Sequence, residues 1–214
     1  MTTLEHALLG SAGAMAAGLH RRGWQIVAWA GVAATVPDWD GLSLIFGAAA
    51  FDRLHRAAGH SLLVATALAI LLALIEYRAG LIPRCGFALA RRIEGISLPR
   101  PSGGEQDASH ARPRGGLLPW LVVAILATWS HLAADLLFSG HASLPDWGLK
   151  LFWPFSEKSY TFPAVRWGDP LPTIILLAGA FAMLRWKNAT QAIAALTILG
   201  LVGYIALRAS WLPY

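Results

Sequence analysis

Residues 117–138 read LLPWLVVAILATWSHLAADLLF, and this stretch decides the fold class. It contains no charged residue before Asp135, and about 20 mostly apolar residues are enough for a helix to cross a bilayer. Two further stretches, residues 61–77 and 190–207, have a similar length and composition. The sequence therefore predicts an all-α protein that crosses a membrane several times.

Shorter apolar stretches extend this prediction. Residues 171–184 carry no charge, and residues 7–19 and 24–36 are rich in Ala and Gly, which let helices approach closely in lipid. Residues 42–51 are too short to span and are predicted to be interfacial or re-entrant. We therefore expect one domain, residues 1–214, folded as a polytopic transmembrane helical bundle with about six membrane helices.

The overall composition fits a membrane protein and excludes several other classes. Charged residues make up 14% and hydrophobic residues 56% of the chain, whereas a soluble domain carries about 25% charged residues. The net charge is +5, but the basic residues lie between apolar runs, so we predict no nucleic-acid partner. The single cysteine, Cys85, excludes a disulfide framework and a zinc site built from thiolates.

A basic loop, residues 78–116, sets the expected orientation. Short loops rich in arginine stay in the cytoplasm, and we predict this loop to be cytoplasmic. Its first part, residues 81–96, is predicted to be an amphipathic surface helix, and its centre, residues 99–116, to be disordered. The Arg21–Arg22 pair and the basic residues after position 184 then also fall inside. The loop of residues 139–169, rich in aromatic side chains, is expected to be extracytoplasmic.

This topology brings histidines and aspartates to the outer face of a bacterial cytoplasmic (inner) membrane. His131 and Asp135 are four residues apart, which places them on one helix face about 6 Å apart. Asp38 and Asp40 follow Pro37, and residues two apart in an extended stretch point the same way. A buried His–Asp hydrogen bond and helix-capping aspartates are the structural alternatives for these two motifs.

Three further histidines fall at the same predicted depth. His60 precedes a spanning stretch, while His55 and His6 are each open to an interpretation as surface histidines. Because four segments deliver such residues to one face, the sequence predicts a divalent-metal site. Zinc is the favoured metal, and the number of ligands suggests two or three ions, as in phosphoester hydrolysis. The predicted ligands are His6, Asp38, Asp40, His55, His60, His131 and Asp135.

The order of these motifs resembles that of a known family. The chain carries HALLG from His6, PDWD from Pro37, His55-Arg56, His60-Ser61, HLAAD from His131 and WPFS from Trp153. In this order they resemble the LexA-regulated, membrane-bound, metal-dependent hydrolases over roughly residues 4–156. A more distant similarity is to zinc-dependent phospholipase C, although this chain has no clear second His-x-x-x-Glu motif. The resemblance implies hydrolase chemistry without naming a substrate.

The sequence therefore predicts a membrane-embedded, metal-dependent hydrolase of a phosphoester in a lipid or lipid-linked substrate. His141 or Asp146 would assist as acid or base, and Arg53 and Arg56 would bind phosphate. Solvated surface charge is an equal explanation for the arginines. The rival functions are a metal-dependent amidase or peptidase, a divalent-metal transporter or sensor, and a bundle held together by a structural ion. Transport sites usually lie near the bilayer midplane, whereas this cluster is expected near one face.

Overall fold

The computed structural model describes residues 1–92, 116–139 and 148–211, and within them the regular elements are helical. The prediction of an all-α protein is confirmed for these residues. A 3-10 segment, Val36–Phe46, follows the second helix. The α-helices in chain order are α1 (Thr3–Ala16), α2 (Trp24–Ala33), α3 (Ala48–Leu54), α4 (Leu62–Ala79), α5 (Leu81–Arg92), α6 (Leu117–Leu137), α7 (Pro170–Arg185) and α8 (Thr190–Trp211).

The expectation of about six membrane-spanning helices is corrected by helix length. Among the described residues, 3 helices are long and apolar enough to span, namely Leu62–Ala79, Leu117–Leu137 and Lys187–Ser210. Helices α1, α2 and α7 have 14, 10 and 16 residues. At about 1.5 Å per residue, each falls short of a hydrocarbon core about 30 Å thick.

Glycine and proline explain why the first two helices are short. Gly18 follows α1 with a φ of 73°, and Gly23 precedes α2 with a φ of 132°, conformations that interrupt an α-helix. Pro37 then stands at the start of the 3-10 segment that follows α2. Helix α1 therefore begins four residues before the predicted stretch of residues 7–19 and ends three residues before its end, and α2 ends three residues before the end of the stretch of residues 24–36.

Small residues bring α1 and α2 into close contact. A Cβ added at Gly10 would lie 2.5 Å from the carbonyl oxygen of Ala30, and one at Gly31 would lie 2.6 Å from Ser11 Oγ. Side chains of α2, α4 and α6 continue this core, in which Trp29 Nε1 donates a hydrogen bond of 3.1 Å to the Trp120 carbonyl. The close packing keeps the N-terminus of α1 beside the C-terminus of α2.

Helix α5 turns back directly after α4. Glu76 is buried, and its carboxylate accepts hydrogen bonds from the backbone amides of Leu81 and Ile82, which are otherwise unpaired donors of the first turn. Helix α5 lies against α2, where Gly86 leaves room for the Trp24 ring. The predicted surface helix thus continues to Arg92, while the predicted disordered centre lies outside the described residues apart from Gly116.

The segment of residues 148–169 closes one end of the bundle. Leu149 and Tyr160 pair as an isolated antiparallel bridge, and the Leu151 carbonyl accepts a hydrogen bond from Leu62 N at the start of α4. The Leu136 and Leu137 carbonyls at the end of α6 accept hydrogen bonds from the same segment. It therefore ties the N-terminus of α4 to the C-terminus of α6, the two helix ends that carry the predicted site.

Candidate metal centre

Five backbone segments end at the same place and deliver the histidines and aspartates. His6 lies in the first turn of α1, which begins with a capping box between Thr2 and Glu5. Helix α2 leads into the 3-10 segment that carries Asp38 and Asp40. The remaining residues come from the C-terminus of α3, the N-terminus of α4 and the last two turns of α6, namely His55, His60, His131 and Asp135. The structure thus brings all seven predicted ligands together.

His131 is oriented by the end of α2. Its Nδ1 lies 2.7 Å from the carbonyl oxygen of Ala34, which follows the last residue of α2 and has no intrahelical partner. A carbonyl only accepts hydrogen bonds, so Nδ1 carries the hydrogen and Nε2 of the neutral ring keeps its lone pair. Nε2 therefore faces the cluster as a potential metal ligand.

His60 is oriented in the same way by a carboxylate. Its Nδ1 donates a hydrogen bond of 2.9 Å to Asp40 Oδ2, which directs Nε2 toward His131. This close approach depends on Gly59, where an added Cβ would lie 2.2 Å from the Pro37 carbonyl and 2.9 Å from Asp40 Oδ2. Carboxylate–histidine pairs of this kind fix the ring and raise its basicity in metal sites.

Asp40 accepts hydrogen bonds at both of its oxygens. Oδ1 accepts from His55 Nδ1 at 2.8 Å, and Oδ2 accepts from the Arg56 amide at 3.1 Å as well as from His60. These contacts engage both carboxylate oxygens and join α3, the following turn and the 3-10 segment. Asp40 therefore acts mainly on the orientation of the two histidines.

Asp38 and Asp135 face the two Nε2 atoms from other sides. Asp38 Oδ2 accepts a hydrogen bond of 2.6 Å from Thr3 Oγ1, and its Oδ1 points toward His131 and His60. Asp135 Oδ1 accepts hydrogen bonds from the Met1 amino group at 2.7 Å and from His6 Nε2 at 3.0 Å, which leaves Oδ2 toward the cluster.

Four potential ligand atoms lie close together: His60 Nε2, His131 Nε2, Asp38 Oδ1 and Asp135 Oδ2. The two nitrogens lie 3.2 Å apart. Asp135 Oδ2 lies 3.4 and 3.7 Å from them, and Asp38 Oδ1 lies 3.8 and 3.5 Å from them, in the order His60, His131. Ligands at about 2.0–2.2 Å from a tetrahedral zinc lie about 3.3–3.6 Å from one another. The donor set and the spacings of His60, His131 and Asp135 therefore fit such an ion, and Asp38 Oδ1 lies near both nitrogens.

His6 and His55 flank this central group. The His6 ring stacks on His131 with centroids 3.5 Å apart, and its Nδ1 is buried without a hydrogen-bond partner among the described residues. His6, Asp38 and His131 form a second possible ligand group, and Asp40, His55 and His60 form a third. The groups share members with the central one, so the prediction of two or three ions stays a prediction.

The remaining predicted site residues differ in their positions. Arg56 is buried with a φ of 62°, and its Nη2 lies 3.2 Å from Asp135 Oδ2. Arg53 is exposed, and its Nε donates a hydrogen bond to the Ala49 carbonyl in its own helix, so the structure does not bring its side chain into the cluster. His141 and Asp146 lie outside the described residues.

The ionisable groups outside the spanning helices stabilise one another. Burial raises the pKa of Asp40, but hydrogen bonds from His55 and His60 outweigh this and hold the pKa below its usual value. Burial lowers the pKa of His60, but the Asp135 and Asp40 carboxylates outweigh this and raise the pKa to about 9. In the metal-free site, a proton on His60 Nε2 can therefore be donated to the lone pair of His131 Nε2.

Several contributors to the site carry no local sequence signal. The Ala34 carbonyl, the Met1 amino group and Thr3 each contact a predicted ligand, but backbone groups and single hydroxyls have no recognisable spacing. Gly59 has a signal that could have been used, since a glycine directly before His60 indicates a close backbone approach.

Comparison with known proteins assigns a family to the whole chain. Residues 1–212 match the family of the YdjM inner membrane protein. This agrees with the membrane and LexA-regulated parts of the resemblance, and together with the apolar helices it supports a location in the inner membrane. No curated protein and no solved structure matches the chain. The chain belongs to the YdjM inner membrane protein family.

Proposed function

We propose that this protein is a metal-dependent hydrolase that acts on a phosphoester of a lipid or lipid-linked substrate at the membrane surface. The observation that carries the proposal is the central group of four atoms, in which the two nitrogens lie 3.2 Å apart and each carboxylate oxygen lies 3.4–3.8 Å from them. Two of them are histidine nitrogens whose other ring nitrogen is held by a carbonyl or a carboxylate. This combination is typical of a zinc site with supporting hydrogen bonds.

His60, His131 and Asp135 would hold the ion, in the two-histidine and one-carboxylate arrangement found in several zinc hydrolases. All three side chains are buried, whereas the Asp38 side chain is 19% exposed and forms the accessible edge of the group. When bound, a divalent ion supplies electrostatic stabilisation of phosphoryl oxygens and an activated water nucleophile at neutral pH. Asp38, held by Thr3, would then accept a proton from that nucleophile.

The lipid substrate is inferred from the position of the site. The cluster lies at helix ends, and the neighbouring 3-10 segment exposes Leu42, Ile45 and Phe46 by 63%, 78% and 82%. Such a surface suits the lipid–water interface, where a phosphate headgroup and an apolar tail meet. The guanidinium of Arg56 lies beside Asp135, where it can orient Asp135 and attract a phosphate.

Turnover by purified protein tests this function. Protein in proteoliposomes would be offered phosphatidylglycerol, phosphatidylethanolamine, cardiolipin and polyprenyl phosphates, and release of phosphate or phosphorylated headgroup would be measured. We expect release that stops with chelator and returns with zinc. Asp38→Asn should lose turnover and keep metal, and Asp52→Asn, an exposed carboxylate on α3, should keep both. The absence of metal-dependent release from the whole panel would refute the phosphoesterase.

A structural ion is the second candidate, because His6, His60 and His131 are fully buried and structural zinc sites use four protein ligands. The two functions differ at Asp38. If Asp38 is the fourth ligand of a structural ion, Asp38→Asn should lower the metal affinity and the thermal stability together. If Asp38 is the proton acceptor, the same substitution should abolish turnover while the bound metal remains.

A further inference from the structure

An apolar groove runs along the bundle near the metal centre. It has a volume of about 320 Å³ and is lined by residues of α1, α2, α6 and α8 together with Leu19. The lining is apolar except for Ser130, whose hydroxyl is satisfied by the Ala127 carbonyl. Leu126 lies on its rim and is 59% exposed, so the groove opens toward the surface of the bundle.

The groove lies on the same helix faces as the metal ligands. On α1, Gly10, Gly13 and Ala17 line it, and they follow His6 at spacings of four, seven and eleven residues. On α6, Ala127 lies one turn before His131 and also lines it. Residues at such spacings share a helix face, so the groove begins one turn from the metal centre and extends away from it.

The distance from His6 to the far end of the groove is similar to the depth of one leaflet of a membrane. From His6 to Ala17 the helix rises by about 16 Å, at about 1.5 Å per residue. The hydrocarbon core is about 30 Å thick, so one leaflet is about 15 Å deep. A chain that starts at a headgroup beside the cluster would therefore extend about 16 Å along α1 before it reaches the end of the groove.

We propose that this groove binds one acyl or prenyl chain of the substrate lipid and thereby places its phosphate headgroup at the metal centre. The headgroup part rests on the proposed function, while the binding of the chain follows from the groove itself. The bound chain sets the distance of the phosphoester from the cluster, because the groove and the ligands share the rigid helices α1 and α6.

Two glycines give a matched pair of variants. A Cβ added at Gly13 meets nothing within 4 Å, and Gly13 lines the groove. A Cβ added at Gly200 also meets nothing within 4 Å, but Gly200 is exposed on α8 and does not line the groove. Gly13→Leu should therefore fill the groove, whereas Gly200→Leu changes helix propensity to a similar extent and leaves the groove open.

Photolabelling measures occupancy without any turnover. The metal-loaded protein would be irradiated with dodecyl phosphate that carries a diazirine at the end of its chain, and labelled peptides would be quantified by mass spectrometry. We expect labelling of residues 9–19 to exceed that of the outer face of α8. Gly13→Leu should lower it to the level of that face, and Gly200→Leu should leave it unchanged. Equal labelling of both regions, or full labelling in Gly13→Leu, overturns the proposal.

Two controls test whether labelling depends on the headgroup of the probe and whether a loss of labelling reflects misfolding. Dodecyl trimethylammonium with the same diazirine tests the headgroup: if it labels the groove equally well, the chain site stands and the phosphate specificity of the proposed function fails. Ala17→Leu shortens the groove at its far end, so labelling by a hexadecyl probe should fall while labelling by an octyl probe persists. Unchanged labelling by the hexadecyl probe in this variant also overturns the proposal.

Discussion

Charged side chains are exposed at one end of the bundle and buried at the other. At one end, Arg21, Arg22, Arg78 and Arg185 are exposed. At the other end, His6, His60, His131, Asp135 and Arg56 have relative exposures of 3% or less and contact one another. An exposed arginine keeps its hydration, whereas a buried ionisable group is costly unless partners or a metal compensate it. The basic end is therefore a solvated surface, and the buried end indicates a binding site.

The two ends also differ in how many partners each side chain has, and therefore in the expected effect of a substitution. Side chains at the basic end contact solvent or one neighbour, such as Arg21, which donates a hydrogen bond of 2.9 Å to Gln191. Side chains at the buried end each contact two or more partners, so one substitution leaves others unsatisfied. Removal of a charge should thus have a small effect at the basic end and a large effect at the other.

The largest difference is expected between His131→Ala and Arg78→Ala. His131 supplies one of the two convergent nitrogens, so its loss should reduce bound zinc to the background level, while Arg78→Ala should retain the full amount. Both variants should still insert, since the spanning stretch keeps its apolar character. Elemental analysis of detergent-purified protein makes the comparison. Full zinc in His131→Ala would mean that the residue only pairs the helices.

Breaking the buried ion pair should have the next largest effect. Arg56→Met would remove one partner of Asp135 Oδ2, and loss of one member of a buried pair usually costs about 3–5 kcal/mol. Lys150→Met removes an exposed partner of Glu157 and should cost less than about 1 kcal/mol. Thermal unfolding of chelator-treated protein in detergent measures both. Equal stability of the two variants would show that Arg56 is not required to compensate Asp135.

A smaller effect is expected from Asp40→Asn. Asp40 orients His60 and His55 but has both oxygens engaged, and loss of such a supporting group typically weakens metal binding by about 10–100-fold. Zinc affinity measured by competition with a chromophoric chelator checks this value, with Asp52→Asn as the exposed control. Complete loss of binding would instead make Asp40 a direct ligand.

The pH dependence of zinc affinity follows from the same hydrogen bonds. Carboxylates raise the pKa of His60 to about 9, and zinc must displace this proton from Nε2. Zinc affinity should therefore decrease as the pH falls below 9, by at most about tenfold per pH unit for this group. Titrations at several pH values measure the slope. In Asp40→Asn the decrease in zinc affinity should begin at a lower pH. An unchanged pH profile of zinc affinity would contradict the role of Asp40 in raising the pKa of His60.

The orientation of the two ends can be tested with no expected effect on the fold. Native Cys85 is exposed and follows the basic end of α4, so an impermeant thiol reagent should not label it in intact cells. Phe155→Cys in a Cys85→Ala background places a thiol at a position that is 84% exposed at the other end, and it should be labelled. The reverse pattern would turn the cluster toward the cytoplasm.

Much of this arrangement could be predicted from the sequence, because it depends on regular spacing. Apolar length identified α4, α6 and α8, and the spacing of four residues placed His131 and Asp135 on one face. The alternation of basic loops along the sequence places the other five predicted ligands at the same end of the bundle. Helix length was less predictable, since α1 ends before Gly18 and α2 ends before the 3-10 segment that contains Pro37, although the apolar composition continues.

The individual roles could not be predicted, because they depend on which side-chain atom faces which neighbour. Asp38 and Asp40 are two residues apart and chemically equal. Asp38 nevertheless faces the Nε2 atoms of His60 and His131, whereas Asp40 contacts Nδ1 of His60. Arg56 is predicted to bind phosphate, and its buried guanidinium also lies against Asp135, a contact that no sequence spacing indicates. The groove cannot be predicted from the sequence, because its small residues are equally typical of helix packing.

Zinc K-edge X-ray absorption on the purified protein tests the central claim most directly, because it reports the ligands of the ion itself. The account predicts nitrogen and oxygen ligands at about 2.0–2.2 Å, no sulfur, and the multiple-scattering signature of two imidazoles. In His60→Ala or His131→Ala, any residual zinc should lose part of that signature. Protein without a stoichiometric metal, or zinc whose imidazole signature survives both substitutions, would contradict the assignment of the metal centre.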